Sequence, residues 1–225
     1  MDFLDKYNVK VNKSLLRQAL THSSYSNEHG GKNYERLEYL GDAVLELIVS
    51  EYFYKNSSYE EGDMTKIRSS YVCEHALYEY SKVVGFIPNI RVGNGQINNV
   101  NETIIADVFE AILGAIFLSN DYSVCKKYIL SIISPFIEDG VIFYADYKSA
   151  LQELVQTGKK SLTYEVIKES GPSHDKSYEV AVYVDNIVFG KGAGKSKKEA
   201  ETNAAFDALK KNADLKEKIN EVKKD

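Results

Sequence analysis

Two pairs of acidic residues stand at helical spacing in apolar segments. Glu38 and Asp42 are four residues apart, and Asp107 and Glu110 are three apart, so the members of each pair share a helix face. Their rows continue through apolar or small residues, namely Leu45, Val49, Phe53, Gly114 and Phe117. Neither row carries a basic residue three or four positions from an acid, and unpaired charge on an apolar face is unfavourable.

A divalent cation would neutralise the two pairs. Because the ligands would all be oxygens, Mg²⁺ or Mn²⁺ is favoured over zinc. Ordinary acids on solvated helix faces are the competing explanation, since most acidic side chains lie at protein surfaces. The spacing by itself leaves both explanations open.

Helices must position these acids, because apolar residues recur at intervals of three and four through the first part of the chain. The predicted helices are 15–20, 37–53, 76–84, 104–118 and 124–136. Polar or glycine-rich segments at 27–33 and 93–95 predict turns between them. We therefore predict an all-α domain.

The pattern changes near residue 146 to a helix followed by strand-like runs. The predicted helix is 147–156, and the predicted strands are 162–168, 177–184 and 187–189. Asp185 and Asn186 predict a tight hairpin between the last two strands. Ser196 and Glu199 have the spacing of a capping box at the start of a final helix. The predicted domains are the all-α domain 1–140, a small α+β domain (α-β-β-β-α) 146–212 and a charged tail 213–225.

The composition excludes several classes of protein. With 225 residues, 44% of them hydrophobic, the chain can bury the core of one or two domains, and only 3 Pro and 14 Gly argue against fibrous or linker-like material. Two distant cysteines without a CxxC motif provide neither a disulfide framework nor a zinc site. The acidic start and the lack of a long apolar run predict no signal peptide and no membrane segment. We expect a cytoplasmic protein.

A net charge of −5 does not exclude a nucleic-acid partner, because the charge is unevenly distributed. Residues 1–145 contain 13 basic and 19 acidic residues. Residues 146–225 carry a net charge of +1, and four of their lysines stand close together: Lys191, Lys195, Lys197 and Lys198. A local basic cluster can bind phosphates even on an acidic chain.

The segment around the first acidic pair, residues 35–45, resembles the signature helix of ribonuclease III, a family of endonucleases that cut double-stranded RNA. The resemblance continues in order and spacing over roughly residues 5–212. The other segments that carry it are 19–24, 61–64 and 102–111. It implies the ribonuclease III fold for the all-α domain.

This resemblance implies roles for the acidic residues. Glu38, Asp42, Asp107 and Glu110 match the family's catalytic carboxylates, which hold Mg²⁺, or Mn²⁺ as a substitute, at the scissile phosphate. We expect Glu38, Asp107 and Glu110 to bind the metal directly. Asp42 and Glu110 are expected to be catalytic, with Asp42 acting through a water or as an acid/base partner. Glu61 is either a peripheral acid at the RNA-facing rim or a turn residue before the next helix. No organic cofactor is expected.

Residues 146–212 resemble a double-stranded-RNA-binding domain, most clearly at 192–200. The resemblance implies that lysines at the start of the last helix contact phosphates, where the helix dipole also favours anions. It also implies minor-groove contacts from the first helix and from a loop. The residues expected to contact RNA are Gln152, Glu153, His174, Lys195, Lys197 and Lys198. Glu201 departs from the pattern, because many such domains have a basic residue there, so we expect weak binding by this domain alone.

Cutting both strands of a duplex requires two active sites, which a two-fold homodimer supplies. The predicted helix 104–118 is apolar on several sides, so it is buried either in the core or against a partner. The resemblance favours the homodimer. It also implies 5′-phosphate and 3′-hydroxyl products with a short 3′ overhang, and roles in ribosomal-RNA precursor processing and messenger decay. A non-catalytic RNA-binding platform on the same fold is the alternative, which the presence of all four carboxylates disfavours.

Overall fold

The computed structural model describes residues 3–143, 147–157, 160–172 and 176–222. For Thr157 and residues 212–222 it describes the backbone only. The chain divides into two compact units, residues 1–145 and 146–225. Within the described ranges, no helix combines the length and the apolar composition needed to cross a membrane.

The first unit is helical, which confirms the predicted all-α fold. Its helices are α1 (Lys13–Ala19), α2 (Ser23–His29), α3 (Glu35–Asn56), α4 (Glu61–Val72), α5 (Glu74–Val84), α6 (Glu102–Ser119) and α7 (Tyr122–Glu138). The prediction missed α2 and treated part of it as a turn, because this short helix is polar and none of its residues is buried. Its start is stabilised by His22, whose ring nitrogen accepts a hydrogen bond from the backbone N–H of Ser24.

Helix α6 is the centre of the first unit. The helices α1, α3, α5 and α7 all pack against it. Its buried residues are Ile104, Ile105, Ala106, Val108, Phe109, Ala111, Ile112, Leu113, Gly114, Ala115 and Ile116. The chain therefore buries α6 within its own core. The sequence left open whether this helix is buried in the core or against a partner, and the structure shows that it is buried in the core. The apolar character of α6 therefore gives no support to a dimer.

Two glycines bring α3 and α6 into backbone contact. A Cβ atom at Gly41 would lie 1.8 Å from the carbonyl oxygen of Glu110, and a Cβ atom at Gly114 would lie 2.2 Å from the carbonyl oxygen of Leu37. Any side chain at either position would push the helices apart. Since Gly41 directly precedes Asp42, this close approach brings the acidic turn of α3 next to that of α6.

The second unit is a three-stranded antiparallel sheet with two helices, as predicted. It contains α8 (Tyr147–Thr157), β1 (Leu162–Ser170), β2 (Ser177–Val184), β3 (Ile187–Gly194) and α9 (Lys197–Val222), with strand order β1-β2-β3. Asp185 and Asn186 form the predicted two-residue hairpin, with φ angles of 49° and 65°. Helix α9 packs on β2 and β3, and α8 packs on α9.

Strand β3 extends five residues beyond its predicted end at Phe189. The extension contains three alternate glycines, which weaken any strand pattern in a sequence. These glycines face α9: a Cβ atom at Gly192 would lie 2.2 Å from the backbone nitrogen of Ala204. The facing helix positions are the fully buried Ala200, Ala204 and Ala208. This packing of small residues fixes the start of α9 against the sheet.

Candidate active site

Four carboxylates on α3 and α6 lie near enough to one another in the first unit for their charges to interact. Glu38, Asp107 and Glu110 are half-buried and Asp42 is exposed. Burial raises the pKa of Glu110 to about 8, and the nearby negative charges of Asp42, Glu38 and Asp107 add to the rise. Burial also raises the pKa of Glu38, with further contributions from Asp107 and Asp42. All four side chains therefore share one electrostatic environment.

The row of α3 that contains the acids is buried only in part. Leu45, Val49 and Phe53 are buried, as their apolar character predicts, whereas Asp42 faces solvent. Asp42 therefore lies on a solvated face of α3, whereas Glu38 is half-buried. An exposed carboxylate beside half-buried ones forms the open side of the cluster.

Tyr34 is a member of the site that the sequence did not reveal. Its side chain is only 4% exposed, and its hydroxyl donates a hydrogen bond of 3.0 Å to Oδ2 of Asp107. Burial and the charge of Asp107 raise the pKa of Tyr34 far above its usual value, so the phenol stays a proton donor. Burial raises the pKa of Asp107, and this hydrogen bond opposes the rise. Nothing in the sequence around Tyr34 indicates that this residue contacts Asp107, which is far away along the chain.

The donor chemistry of this cluster fits a divalent cation. Among the residues that the structure describes, no three acidic, histidine or cysteine side chains already stand as a metal-binding group. The four carboxylates nevertheless supply oxygen donors, and the groups that dominate the raised pKa values of Glu38, Asp107 and Glu110 include no lysine or arginine. Carboxylates whose pKa values are raised by burial are the donor set that a hard cation neutralises.

Glu61 lies outside this group of half-buried acids. It is the first residue of α4 and is exposed, so its description as a turn residue before the helix is wrong. An acid in the first turn is stabilised by the helix dipole. That local role accounts for its presence, and its role as a peripheral acid stays a prediction.

The expected phosphate-contacting lysines lie at the start of α9 in the second unit. Lys197 and Lys198 are exposed in its first turn, and Lys195 is exposed just before it. The Ser196 hydroxyl accepts a hydrogen bond from the backbone N–H of Glu199 at 3.1 Å. The Glu199 carboxylate accepts one from the backbone N–H of Lys195 at 2.6 Å. This variant of the predicted capping box holds the lysine-bearing turn in place.

The other expected RNA contacts are only partly described. Gln152 is half-buried and Glu153 is exposed on α8, away from the buried Leu151 and Val155. His174 lies outside the described residues. Glu201, the departure from the basic pattern, forms an ion pair of 2.5 Å with Lys148. The acid at this position therefore joins α9 to α8.

Comparison with protein families assigns both units. Residues 12–136 match the model described as "Ribonuclease-III-like". Residues 147–212 match the model described as "Double-stranded RNA binding motif". These matches cover the helical unit and the α+β unit respectively, and they agree with the resemblance found in the sequence.

Similar proteins point to the same family. Ribonuclease 3 of Listeria innocua is 44% identical over 88% of this chain and 90% of its own length. Ribonuclease 3 of the onion yellows phytoplasma is 42% identical over 93% of this chain and 89% of its own. A solved nuclease domain of ribonuclease III from Campylobacter jejuni is 34% identical, with a TM-score of 0.55 over 60% of this chain and 95% of that one. The chain therefore belongs to the ribonuclease III family and is an endoribonuclease that acts on double-stranded RNA.

Proposed function

We propose that this protein hydrolyses double-stranded RNA with Mg²⁺, leaving 5′-phosphate and 3′-hydroxyl ends. Glu38, Asp107 and Glu110 would hold the cation, for which Mn²⁺ can substitute, and the exposed Asp42 would act through a water or as an acid/base partner beside Glu110. The observation that carries this proposal is the shared environment of the four carboxylates, with the pKa of Glu110 raised to about 8. When bound, the cation supplies an activated water and neutralises charge on the phosphate.

Cleavage of a long, perfect RNA duplex tests this proposal directly. We expect both strands to be cut with Mg²⁺ or Mn²⁺, and the duplex to be bound but not cut with Ca²⁺. The products should be degraded by an exonuclease that requires a 5′-phosphate. A protein that binds the duplex and never cuts it would instead be the non-catalytic RNA-binding platform.

We propose a homodimer, in which each subunit cuts one strand. The support comes from the outer side of α3, where Tyr39, Leu47 and Tyr54 are 82%, 57% and 75% exposed. Their spacing places them on one side of the helix, and apolar groups exposed together mark contact surfaces. The related Campylobacter jejuni nuclease domain is described with a region involved in dimer formation. Analytical ultracentrifugation should give twice the mass of the chain, and Leu47→Glu should shift it toward the monomer.

We propose that residues 1–140 are the catalytic domain, residues 146–212 the RNA-binding domain and residues 213–225 an appended charged tail. A cytoplasmic role in ribosomal-RNA precursor processing and messenger decay follows from such an activity. Depleting the protein in its host should cause unprocessed ribosomal-RNA precursors to accumulate. Normal precursor levels after depletion would contradict this role.

The hydrogen bond from Tyr34 should orient Asp107 for the cation. We expect Tyr34→Phe to lower the apparent affinity for Mg²⁺ by roughly tenfold, as does loss of a group that positions a metal ligand. The rate of RNA cleavage at saturating Mg²⁺ should change much less. Cleavage measured over a range of Mg²⁺ concentrations checks this, together with the Mg²⁺-induced rise in melting temperature without RNA. Tyr80→Phe is the control. It also removes a buried tyrosine hydroxyl, but that hydroxyl donates to the backbone carbonyl of Tyr71 and not to a carboxylate.

The lysines at the start of α9 should contribute a salt-dependent part of RNA binding. The double variant Lys197→Glu, Lys198→Glu should weaken duplex binding at least tenfold and lower the slope of log K against log salt by about 2. Fluorescence anisotropy at several salt concentrations measures both. The matched control is Lys210→Glu, Lys211→Glu, which places the same charges further along the helix. Equal losses in the two double variants would contradict a specific role for the first turn.

A further inference from the structure

A fifth acidic residue, Glu74, is tied to the helix that carries Asp107. It is the first residue of α5 and is exposed, and α5 packs against α6. The hydroxyl of Thr103 on α6 donates a hydrogen bond of 3.0 Å to Oε1 of Glu74. Thr103 precedes Asp107 by four residues, so the two side chains share a face of α6. The carboxylate of Glu74 is therefore held about one helical turn away from Asp107.

A second contact joins the start of α5 to the start of α6. Nδ1 of His75 lies 3.5 Å from Oε2 of Glu102, and these two residues are the chain neighbours of Glu74 and Thr103. Two adjacent contacts limit how far the first turn of α5 can move along α6. Within the described ranges, no basic side chain forms an ion pair with Glu74. Its negative charge is therefore fixed in place and is not neutralised by a neighbouring cation.

The charge of Glu74 acts on Asp107. Burial is the main cause of the raised pKa of Asp107, and the negative charge of Glu74 adds to the rise. A negative charge that disfavours ionisation of Asp107 also favours a cation bound to it, because both effects follow from the same electrostatic potential. The helix dipole accounts for an acid in the first turn of α5. It does not account for the hydrogen bond that directs this acid to α6.

We propose that Glu74 is a positioning residue of the cation site, and that its charge, held in place by Thr103, strengthens the binding of the divalent cation by Asp107. Glu74 does not itself bind the cation. Tyr34 and Glu74 act on Asp107 by different means, since Tyr34 donates a hydrogen bond to it and Glu74 supplies a negative charge. The proposal rests on the proposed function, because it requires a cation at the carboxylate cluster.

Binding of Mn²⁺ in the absence of RNA tests this role. Glu74→Gln removes the charge and keeps an oxygen that can accept the hydrogen bond from Thr103. It should bind Mn²⁺ about threefold more weakly than the wild type at low salt, as loss of an exposed, partly screened charge predicts. The difference should shrink at about 0.5 M salt, where screening is stronger. Titration followed by the electron paramagnetic resonance signal of free Mn²⁺ measures both. The matched control is Glu79→Gln, further along α5, whose carboxylate pairs with Lys82.

RNA binding, RNA cleavage and a second variant separate charge from a merely structural effect. Glu74→Gln should need about threefold more Mg²⁺ for half of its maximal cleavage rate, with the maximal rate itself within about twofold of the wild type. In EDTA it should bind the duplex at least as tightly as the wild type, because a negative charge is removed, whereas a damaged fold would bind more weakly. Thr103→Val keeps the charge and releases it, so its loss of Mn²⁺ affinity should be smaller. Adding Thr103→Val to Glu74→Gln should cause no further loss.

The outcomes distinguish this proposal from the one on which it rests. If the wild type cuts the duplex with Mg²⁺ and Glu74→Gln binds Mn²⁺ as the wild type does, the role of Glu74 is wrong and the proposed function stands. A wild-type protein that binds no Mn²⁺ and cuts no duplex would overturn both. A maximal rate of Glu74→Gln that falls by more than about 100-fold at unchanged Mn²⁺ affinity would place Glu74 in the reaction itself, which contradicts a positioning role.

Discussion

Glu110→Gln should reduce the rate of duplex RNA cleavage by about 1,000-fold or more, while RNA affinity stays within about twofold. A cation at a phosphoryl centre is worth several kcal/mol of transition-state stabilisation, and each 1.4 kcal/mol is a factor of ten in rate. Glu110 is the most strongly perturbed of the four carboxylates, with its pKa raised to about 8. Single-turnover cleavage and anisotropy on the same duplex measure rate and affinity separately.

Glu46→Gln is the matched control for this variant. Glu46 lies on the same helix as Glu38 and Asp42, and its charge also raises the pKa of Glu110, but it belongs to neither acidic pair. Its replacement should leave cleavage within a few fold of the wild type. If Glu110→Gln cut RNA at the wild-type rate, the assignment of the cluster as the metal site would be wrong.

Glu110→Gln should also stabilise the folded protein when metal is absent. In the unfolded chain Glu110 ionises near its usual pKa of 4.5, whereas in the folded protein it stays protonated until about pH 8. The folded state binds the extra proton, so the free energy of unfolding falls as pH rises through this interval. The rise of this pKa from 4.5 to about 8 corresponds to about 5 kcal/mol, an upper limit because the neighbouring carboxylates also take up protons.

Thermal unfolding in EDTA at pH 5, 7 and 9 measures this effect. The melting temperature of Glu110→Gln should exceed that of the wild type by an amount that grows with pH. Mg²⁺ should raise the melting temperature of the wild type more than that of the variant, because it neutralises the repulsion that the variant lacks. A variant that is less stable than the wild type at pH 9 would contradict the electrostatic description of the site.

Gly41→Ala should lower the free energy of unfolding by about 1–3 kcal/mol, which is the range for overpacking a tight contact. The added methyl group would lie 1.8 Å from the carbonyl oxygen of Glu110, so α3 and α6 must separate. Because the two helices carry the two acidic pairs, cleavage should fall far more than stability alone explains. Urea unfolding gives the first quantity, and cleavage below the unfolding transition gives the second.

Two further glycine substitutions make this prediction specific. Gly114→Ala should behave similarly, since its Cβ atom would lie 2.2 Å from the carbonyl oxygen of Leu37. Gly62→Ala on α4 is the control: nothing lies within 4 Å of its Cβ position, and alanine favours a helix by about 1 kcal/mol over glycine. An active, fully stable Gly41→Ala protein would show that the helix contact is looser than the structure indicates.

The amino-acid sequence by itself determined the local elements and the types of residue at the site. Apolar periodicity predicted α3 and α6, and the alternation in β2 and the hairpin at Asp185 predicted the core of the sheet. These features depend on contacts within a few residues, which a sequence pattern records directly. The four acids were also recognisable as candidates for a site, because an unpaired charge in an apolar row is unfavourable and the segments that carry them resemble a known family.

Only the tertiary structure decided which distant residues meet. It paired Gly41 with the backbone of Glu110 and Tyr34 with Asp107, and it buried α6 within its own chain. Such contacts join residues far apart in the chain and depend on how whole helices pack, so no local spacing encodes them. The sequence determined which acids each helix carries, and the packing of α3 against α6 determined that the two acidic pairs lie near one another.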